Sequence, residues 1–243
     1  MSVCSRSKTK MLILGIDSSS VSGAAAVLRD NTVLADGFVC NGLTHSQTLL
    51  PLIQQTLQQA DVQPDAIDLI AVTNGPGSFT GLRIGMATAK GIAAVYDTPC
   101  VGVSALEAAA MGVRQNGAVI CPVMDARCKQ VYNALFCCQD GKLSRLCEDR
   151  AISIEDLKKE LQNLKKPVVL VGDGAVLCYN AYKDLDYVAL CAEKDRLIRG
   201  ESVALLGFAN TDAAVQPEAL RPVYLRLPQA QRELLKKKGQ NEQ

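Results

Sequence analysis

The chain has 243 residues, 48% of them hydrophobic and 21% charged, with a formal net charge of +1. That length supports one large domain or two small lobes burying roughly 70–75% of the unfolded surface, so no disulfide or metal is needed to hold a core. Near-neutral charge argues against a protein that grips nucleic acid by itself, because phosphate binding wants an excess of Lys and Arg on one face.

Residues 1–10 are polar and basic and predict a flexible terminus. The apolar run that follows reaches Asp17 too soon for a signal peptide or a membrane span, so a cytoplasmic protein is expected. Residues 11–16 are continuously apolar, the pattern of a strand covered on both faces. They end in the polar turn Asp17-Ser18-Ser19-Ser20. Residues 23–28 and 32–40 read as two more strands joined at Asp30-Asn31, a hairpin signal, so an antiparallel meander is expected. Residues 44–60 read as a helix: Leu49, Ile53 and Leu57 recur every fourth position, with Leu50 and Ala60 widening the stripe. Thr44 or Ser46 is placed to cap its start. Proline inside a helix costs about 3 kcal/mol, so Pro51 predicts either a first-turn position or a kink.

Residues 67–73 form the next buried strand, 80–96 a second helix, 99–103 a strand and 104–114 a third helix. The order βββαβαβα is that of an RNase-H-like lobe, the unit of the actin-like ATPase (ASKHA) superfamily. The second half starts the pattern again, with strands over 118–125, 130–137 and 143–152, a helix over 153–164 opened by the capping signature Ser153-Ile-Glu-Asp156, and a strand over 168–171. A helix over 201–210 and an extended segment over 222–227 follow. The expected organisation is therefore α/β: an N-terminal lobe over 11–105, a reduced C-terminal lobe over 106–228 and a flexible tail over 229–243. The tail carries Lys236-Lys237-Lys238, read as a solvated end, with RNA contact as the other reading.

Ten cysteines occur without a single C-x-x-C pair, several of them in apolar stretches, and read as structural thiols. Two segments carry candidate chemistry. In actin-like ATPases a small polar turn at the place of Asp17-Ser18-Ser19-Ser20 meets phosphates, with the aspartate near the metal; the alternative is an ordinary polar turn. Gly75-Pro-Gly-Ser-Phe-Thr-Gly-Leu-Arg83 opens a helix, where free N–H groups and the helix dipole suit an anion; the alternative is tight strand-to-helix packing that only glycine permits. It is not a P-loop, since no G-K-[ST] follows. Asp17, Ser18, Ser19, Gly75, Gly77 and Ser78 are thus the candidate nucleotide or anion contacts. The helix that follows carries small residues on more than one side, namely Gly81, Gly85, Ala87, Ala89, Gly91, Ala93 and Ala94. Part of that face packs within the chain, and a second helix, from another chain, is expected to approach the rest. His45 is the only histidine, so a His-rich metal site is impossible, and it reads as a capping or surface residue.

The runs Leu14-Gly-Ile-Asp-Ser-Ser-Ser20, His45-Ser-Gln-Thr-Leu-Leu-Pro-Leu-Ile53, Gly75-Pro-Gly-Ser-Phe-Thr-Gly-Leu-Arg-Ile-Gly85, Val101-Gly-Val-Ser104, Asp125-Ala-Arg127 and Pro222-Val-Tyr-Leu-Arg226 occur in that order. Together they closely resemble the bacterial TsaB (YeaZ) family, over nearly all of residues 11–227. The resemblance implies a role in making threonylcarbamoyladenosine beside the tRNA anticodon, as a heterodimer with the catalytic paralogue TsaD, joined by the ATPase TsaE. Transfer of the threonylcarbamoyl group belongs to TsaD, so this chain is expected to be a non-catalytic subunit reaching tRNA through the complex. The family's docking helices match residues 44–60 and 80–96. The implied interface is His45, Leu49, Leu50, Ile53 and Leu57 on the first, and Thr80, Arg83, Ile84, Met86, Ala87 and Lys90 on the second. The isolated chain is expected to form a homodimer through the same surface, to need no cofactor of its own, and to have ATP or ADP at the partner interface as an open option. The catalytic paralogues hold a metal with His-x-x-x-His, and those positions fall at Ala105 and Ala109. Gln47 stands where the family commonly has glutamate. Arg83, Arg127 and Arg226 are further candidates for tRNA or nucleotide contact. The competing reading is a stand-alone actin-fold ATPase or phosphotransferase, which requires a second phosphate loop and an adenosine-binding glycine motif; Val171-Gly-Asp-Gly174 is the candidate, and a turn at a strand end explains it equally well.

Overall fold

The computed structural model describes residues 10–226; the terminus over 1–9 and the tail from 227 onward, with its lysine run, lie outside them. Strands β1 (Leu12–Asp17), β2 (Gly23–Arg29) and β3 (Thr32–Val39) form the meander, turned at Asp30 in a left-handed conformation. Helix α1 (His45–Gln59), β4 (Leu69–Gly75), α2 (Phe79–Tyr96), β5 (Cys100–Ser104) and α3 (Ala105–Met111) follow. The sheet runs β3-β2-β1-β4-β5, with β4 parallel to β1 and β5 parallel to β4.

The second half contributes β6 (Val119–Asp125), β7 (Gln130–Gln139), β8 (Lys142–Ser153), α4 (Ile154–Leu164), β9 (Val168–Val171), α5 (Ala175–Ala181), β10 (Val188–Leu190) and α6 (Gly200–Ala209). Its sheet, β10-β9-β6-β7-β8, repeats the first strand for strand. The reduction lies in the helices: α4 and α5 have 11 and 7 residues where α1 and α2 have 15 and 18. Helix α5 and strand β10 escape sequence reading because 7 and 3 residues are too few for a period to show. The extended segment at 222–226 joins neither sheet as a strand, although the Val223 N–H donates to the Asn74 carbonyl at 2.7 Å.

Alternation along the strands sorts side chains into layers. Leu14, Ile16, Ala25 and Val27 face α1 and α2, whereas Ile13, Ala26 and Leu28 face a middle layer built on α3 and α6. Ile120 and Val169 of the second sheet enter the same middle layer, while Val119, Cys121, Val168 and Leu170 turn outward to α4 and α5. The two sheets therefore share one core. Each fully buried Leu or Ile in it contributes roughly 1.5–3 kcal/mol. Helix α6 comes from the second half of the chain yet lies on the first sheet. A Cβ on Gly15 would stand 2.5 Å from the Gly200 carbonyl oxygen, and one on Gly200 2.4 Å from the Ala25 backbone, so the contact is backbone on backbone.

Two local expectations are corrected. Pro51 sits in the second turn of α1, with an exposed ring, and the helix continues to Gln59. Thr44 is the N-cap of α1, but its side chain does not cap; its hydroxyl meets Ser46 and Gln47 side chains instead. All nine cysteines among the described residues are free. Burial pushes the Cys100 and Cys178 thiols up to about 11, so they stay protonated at neutral pH.

Candidate functional site

The C-terminal ends of β1 and β4 in one lobe face those of β6 and β9 in the other, and a cleft of about 520 Å³ opens between them. Ser19, Ser20, Gly77, Ser78 and Phe79 line it from the first lobe, and Asp125, Arg127, Tyr132 and Asp173 from the second. Tyr224 and Arg226, from the chain's return, complete the mouth.

The turn after β1 is sealed against α2. Asp17 is fully buried, and its Oδ1 accepts hydrogen bonds from the Ser19 N–H (3.0 Å), the Ser19 hydroxyl (2.6 Å) and the Thr73 hydroxyl (2.7 Å). Burial outweighs those bonds and raises its pKa above the usual 3.8. The Ser18 hydroxyl donates to the Gly81 carbonyl at 2.9 Å, and the Ser78 N–H to the Ser19 carbonyl at 2.7 Å. Of the candidate anion contacts, only Ser19, Gly77 and Ser78 border the cleft. Asp17, Ser18 and Gly75 lie behind it, and the hydroxyls of Ser18 and Ser19 are already engaged.

The small residues of α2 divide between two faces, one packed within the chain and one open. Gly81, Gly85, Ala89 and Ala93 are buried, and a Cβ on Gly81 would stand 2.1 Å from the Ser18 carbonyl oxygen. Their partner is the β1–β2 turn and the sheet beneath. Ala87, Gly91 and Ala94 face outward, and a Cβ on Gly91 would meet nothing within 4 Å.

On that outer side, α1 and α2 enclose an apolar groove of about 400 Å³. Leu50, Val95 and Tyr96 stand exposed along it at 47%, 70% and 44%, with Ile53 and Leu57 nearly buried in its floor. Of the implied interface residues, Leu50, Thr80, Arg83 and Ala87 are exposed, and His45, Ile84 and Lys90 half-buried. Leu49 and Met86 are not available to a partner. The stripe that makes α1 amphipathic has to cover the sheet first, and Met86 turns inward with it. His45 neither caps nor floats on the surface: its Nε2 bonds the Ser20 carbonyl at 2.8 Å, tying α1 to the turn after β1. Val95 and Tyr96 were missed because exposed apolar residues at a helix end carry no periodic signal, and Gly91 was noted only as one of the small residues of α2.

The second lobe's side of the cleft is open. Asp125 accepts from the Arg127 N–H at 2.8 Å and pairs with its guanidinium at 3.1 Å. Asp173 Oδ1 accepts from the Asp125 N–H at 3.2 Å, and burial, with Asp125 and Asp17 nearby, pushes its pKa up to about 6. Ala105 and Ala109 are buried packing residues of α3. Among the described residues no three His, Cys, Asp or Glu side chains stand together in a way that could hold a metal ion. No helix among them is long and apolar enough to cross a membrane.

A family model described as TsaD, tRNA N6-adenosine threonylcarbamoyltransferase, matches residues 42–193. The tRNA threonylcarbamoyladenosine biosynthesis protein TsaB of Bacillus subtilis is 32% identical over 225 residues, covering 91% of this chain and 96% of that one. TsaB of Escherichia coli is 33% identical over 229 residues, covering 89% and 95%. A solved structure from Pseudomonas aeruginosa, described as similar to peptidase YeaZ, aligns with a TM-score of 0.76 at 27% identity, covering 89% of this chain and 100% of that one.

Proposed function

The chain belongs to the TsaB (YeaZ) family of tRNA threonylcarbamoyladenosine biosynthesis proteins, and from that membership we propose that it serves as a non-catalytic subunit, docking a TsaD-type paralogue on the α1–α2 groove. The observation that carries this reading is the groove itself: exposed Leu50, Val95 and Tyr96 around the open position of Gly91. Small residues at 87, 91 and 94 let a partner's backbone approach closely, and exposed apolar side chains at this density are costly to leave in water.

The chemistry of the chain supports the non-catalytic part. Alanines at 105 and 109 pack α3 into the shared core and offer no ligand atom. The Ser18 and Ser19 hydroxyls are consumed within the fold, which counts against a stand-alone phosphotransferase. One core common to both sheets suits a rigid platform better than a hinge that closes on substrate. In this reading the complex is cytoplasmic, a TsaE-type ATPase joins it, tRNA is met through the assembly, a nucleotide at the partner interface is compatible with it, and the isolated chain pairs with itself through the same groove.

The test is Gly91→Arg. The side chain points into open space and replaces an exposed helical glycine, so the fold survives and gains up to about 1 kcal/mol in helix propensity. Co-purification with a TsaD partner and reconstituted tRNA modification should both be lost. A complex that forms normally with this variant places docking elsewhere. Gly85→Arg is not a substitute, because a Cβ there would stand 2.3 Å from the Ser18 hydroxyl and would disturb the fold itself.

A further inference from the structure

Helices α1 and α2 carry no aspartate or glutamate, and the only lysine or arginine on them are Arg83 and Lys90. Residues four apart on a helix lie one above the other, so Arg83, Ala87, Gly91 and Val95 form one exposed line along α2. Gly91 and Val95 border the apolar groove, and Arg83 heads the line. The exposed Asp61 and Asp97 follow the C-terminal ends of α1 and α2, and Asp97 lies about 21 Å farther along the axis than Arg83. Arg83 is held in one place. Its guanidinium lies 3.9 Å over the Phe79 ring, and its Nε donates to the Tyr224 hydroxyl at 3.0 Å. Tyr224 is fixed in turn: its ring lies 4.9 Å from that of Phe79, the Val223 N–H donates to the Asn74 carbonyl, and Arg226 donates to the carbonyls of Ala126 and Arg127. Among the described residues the terminal N–H groups of Arg83 meet no carboxylate, whereas Arg127, Arg145, Arg150 and Arg199 each pair with one.

From this arrangement we infer that Arg83 is a specificity anchor, which rests on docking at the α1–α2 groove and adds its chemistry: it receives an aspartate or glutamate side chain of the partner seated there. Continuity carries the assignment. A helix laid along the open line of Ala87 and Gly91 runs directly beneath Arg83, so whatever meets its free N–H groups belongs to the same partner. A carboxylate matches the free edge of a guanidinium with two parallel hydrogen bonds. A guanidinium already held by a ring and an acceptor loses less side-chain freedom when that carboxylate arrives. The pair also sets direction. A partner seated the other way round would cover Arg83 without an opposite charge, and an uncompensated buried charge is strongly unfavourable. Packing along small residues fixes where the partner lies, and Arg83 fixes which end of it lies where.

The measurement is the Kd of the full chain for the TsaD-type partner between about 50 and 500 mM salt, for the wild type, Arg83→Gln and Arg83→Lys. Wild-type binding weakens as salt rises. Arg83→Gln, a change at an exposed side chain, weakens binding at least about ten-fold at low salt and flattens the salt dependence. Arg83→Lys keeps the salt dependence and recovers part of the affinity, because an ammonium supplies the charge without the flat fork. Gly91→Arg separates this anchor from the docking surface itself. Normal binding by Gly91→Arg overturns both; loss with Gly91→Arg, while Arg83→Gln binds within about two-fold of the wild type, overturns the anchor alone. A loss of affinity with unchanged salt dependence overturns it too, since the contact is then not ionic. So does an equal loss in self-association of the isolated chain, which would make the carboxylate this chain's own Asp61 or Asp97. Normal partner binding with impaired tRNA modification also overturns it, by assigning Arg83 to the RNA.

Discussion

The turns after β1 and after β6 occupy equivalent places in two lobes of the same topology, yet they are built in opposite ways. The first is sealed. Asp17 is fully buried, Ser18 and Ser19 bond within the fold, and α2 presses on the turn through Gly81 and Gly85. The second is held open by Arg127, Cys128 and Lys129, three successive residues in the left-handed region at φ of 63°, 56° and 57°. That conformation costs roughly 1–2 kcal/mol per residue without glycine, and its polar groups remain at the surface. The difference teaches where ligand chemistry can reside: in the first turn the serine hydroxyls are spent on the fold, and Asp17 Oδ2, though without a hydrogen-bond partner, is buried behind the cleft, whereas the second turn keeps its polar groups at the surface.

The comparison breaks most severely at Gly81. Gly81→Ala forces a Cβ onto a backbone carbonyl and should cost about 3 kcal/mol or more in urea unfolding, with the turn after β1 losing its hydrogen-exchange protection. A loss below 1 kcal/mol would mean that the sealed turn is not sealed. Asp173 gives the next largest effect, with a definite sign. Its pKa of about 6 in the fold lies above the usual 3.8, so ionisation opposes folding: stability is full below about pH 4, falls as pH rises toward 6, and is level beyond. Asp173→Asn, which can still accept from the Asp125 N–H, should raise stability at pH 7 by on the order of 1–2 kcal/mol and flatten the profile between pH 4 and 6. An unchanged profile would show that the floor of the cleft is not desolvated. The smallest effect is at the open turn. Cys128→Gly relieves one left-handed residue and should stabilise by up to about 1 kcal/mol in thermal melts, whereas destabilisation would show that the thiol has a structural role.

Much of the fold was legible. Continuous apolar runs marked β1 and β4, the recurrence of Leu49, Ile53 and Leu57 at every fourth position marked α1, and the Asp30-Asn31 turn marked the hairpin of β2 and β3. The candidate site was legible only in part. The run from Gly75 to Arg83 pointed to the right segment, but nothing in it announces that the Ser78 hydroxyl accepts from the Gly81 N–H or that the Ser78 N–H is spent on the Ser19 carbonyl. The interface residues chosen from α1 included Leu49, which the sheet claims first. A helical period identifies an apolar face without saying whether the next row, Leu50 or Gly91, meets solvent or a partner.

Sequence alone determined the antiparallel meander that opens the first lobe, the family, and the lack of histidines beyond His45, because patterning, motif and composition are local properties of the chain. Tertiary structure alone decided the strand order in each sheet, that α6 crosses to the first sheet, which small residues of α2 pack inward and which stay open, and that Arg226 reaches across to the second lobe beside Arg127. The physical reason is that glycine and arginine have no periodicity of their own: what a missing Cβ admits, or where a long cationic side chain ends, depends on which distant backbone arrives beside it.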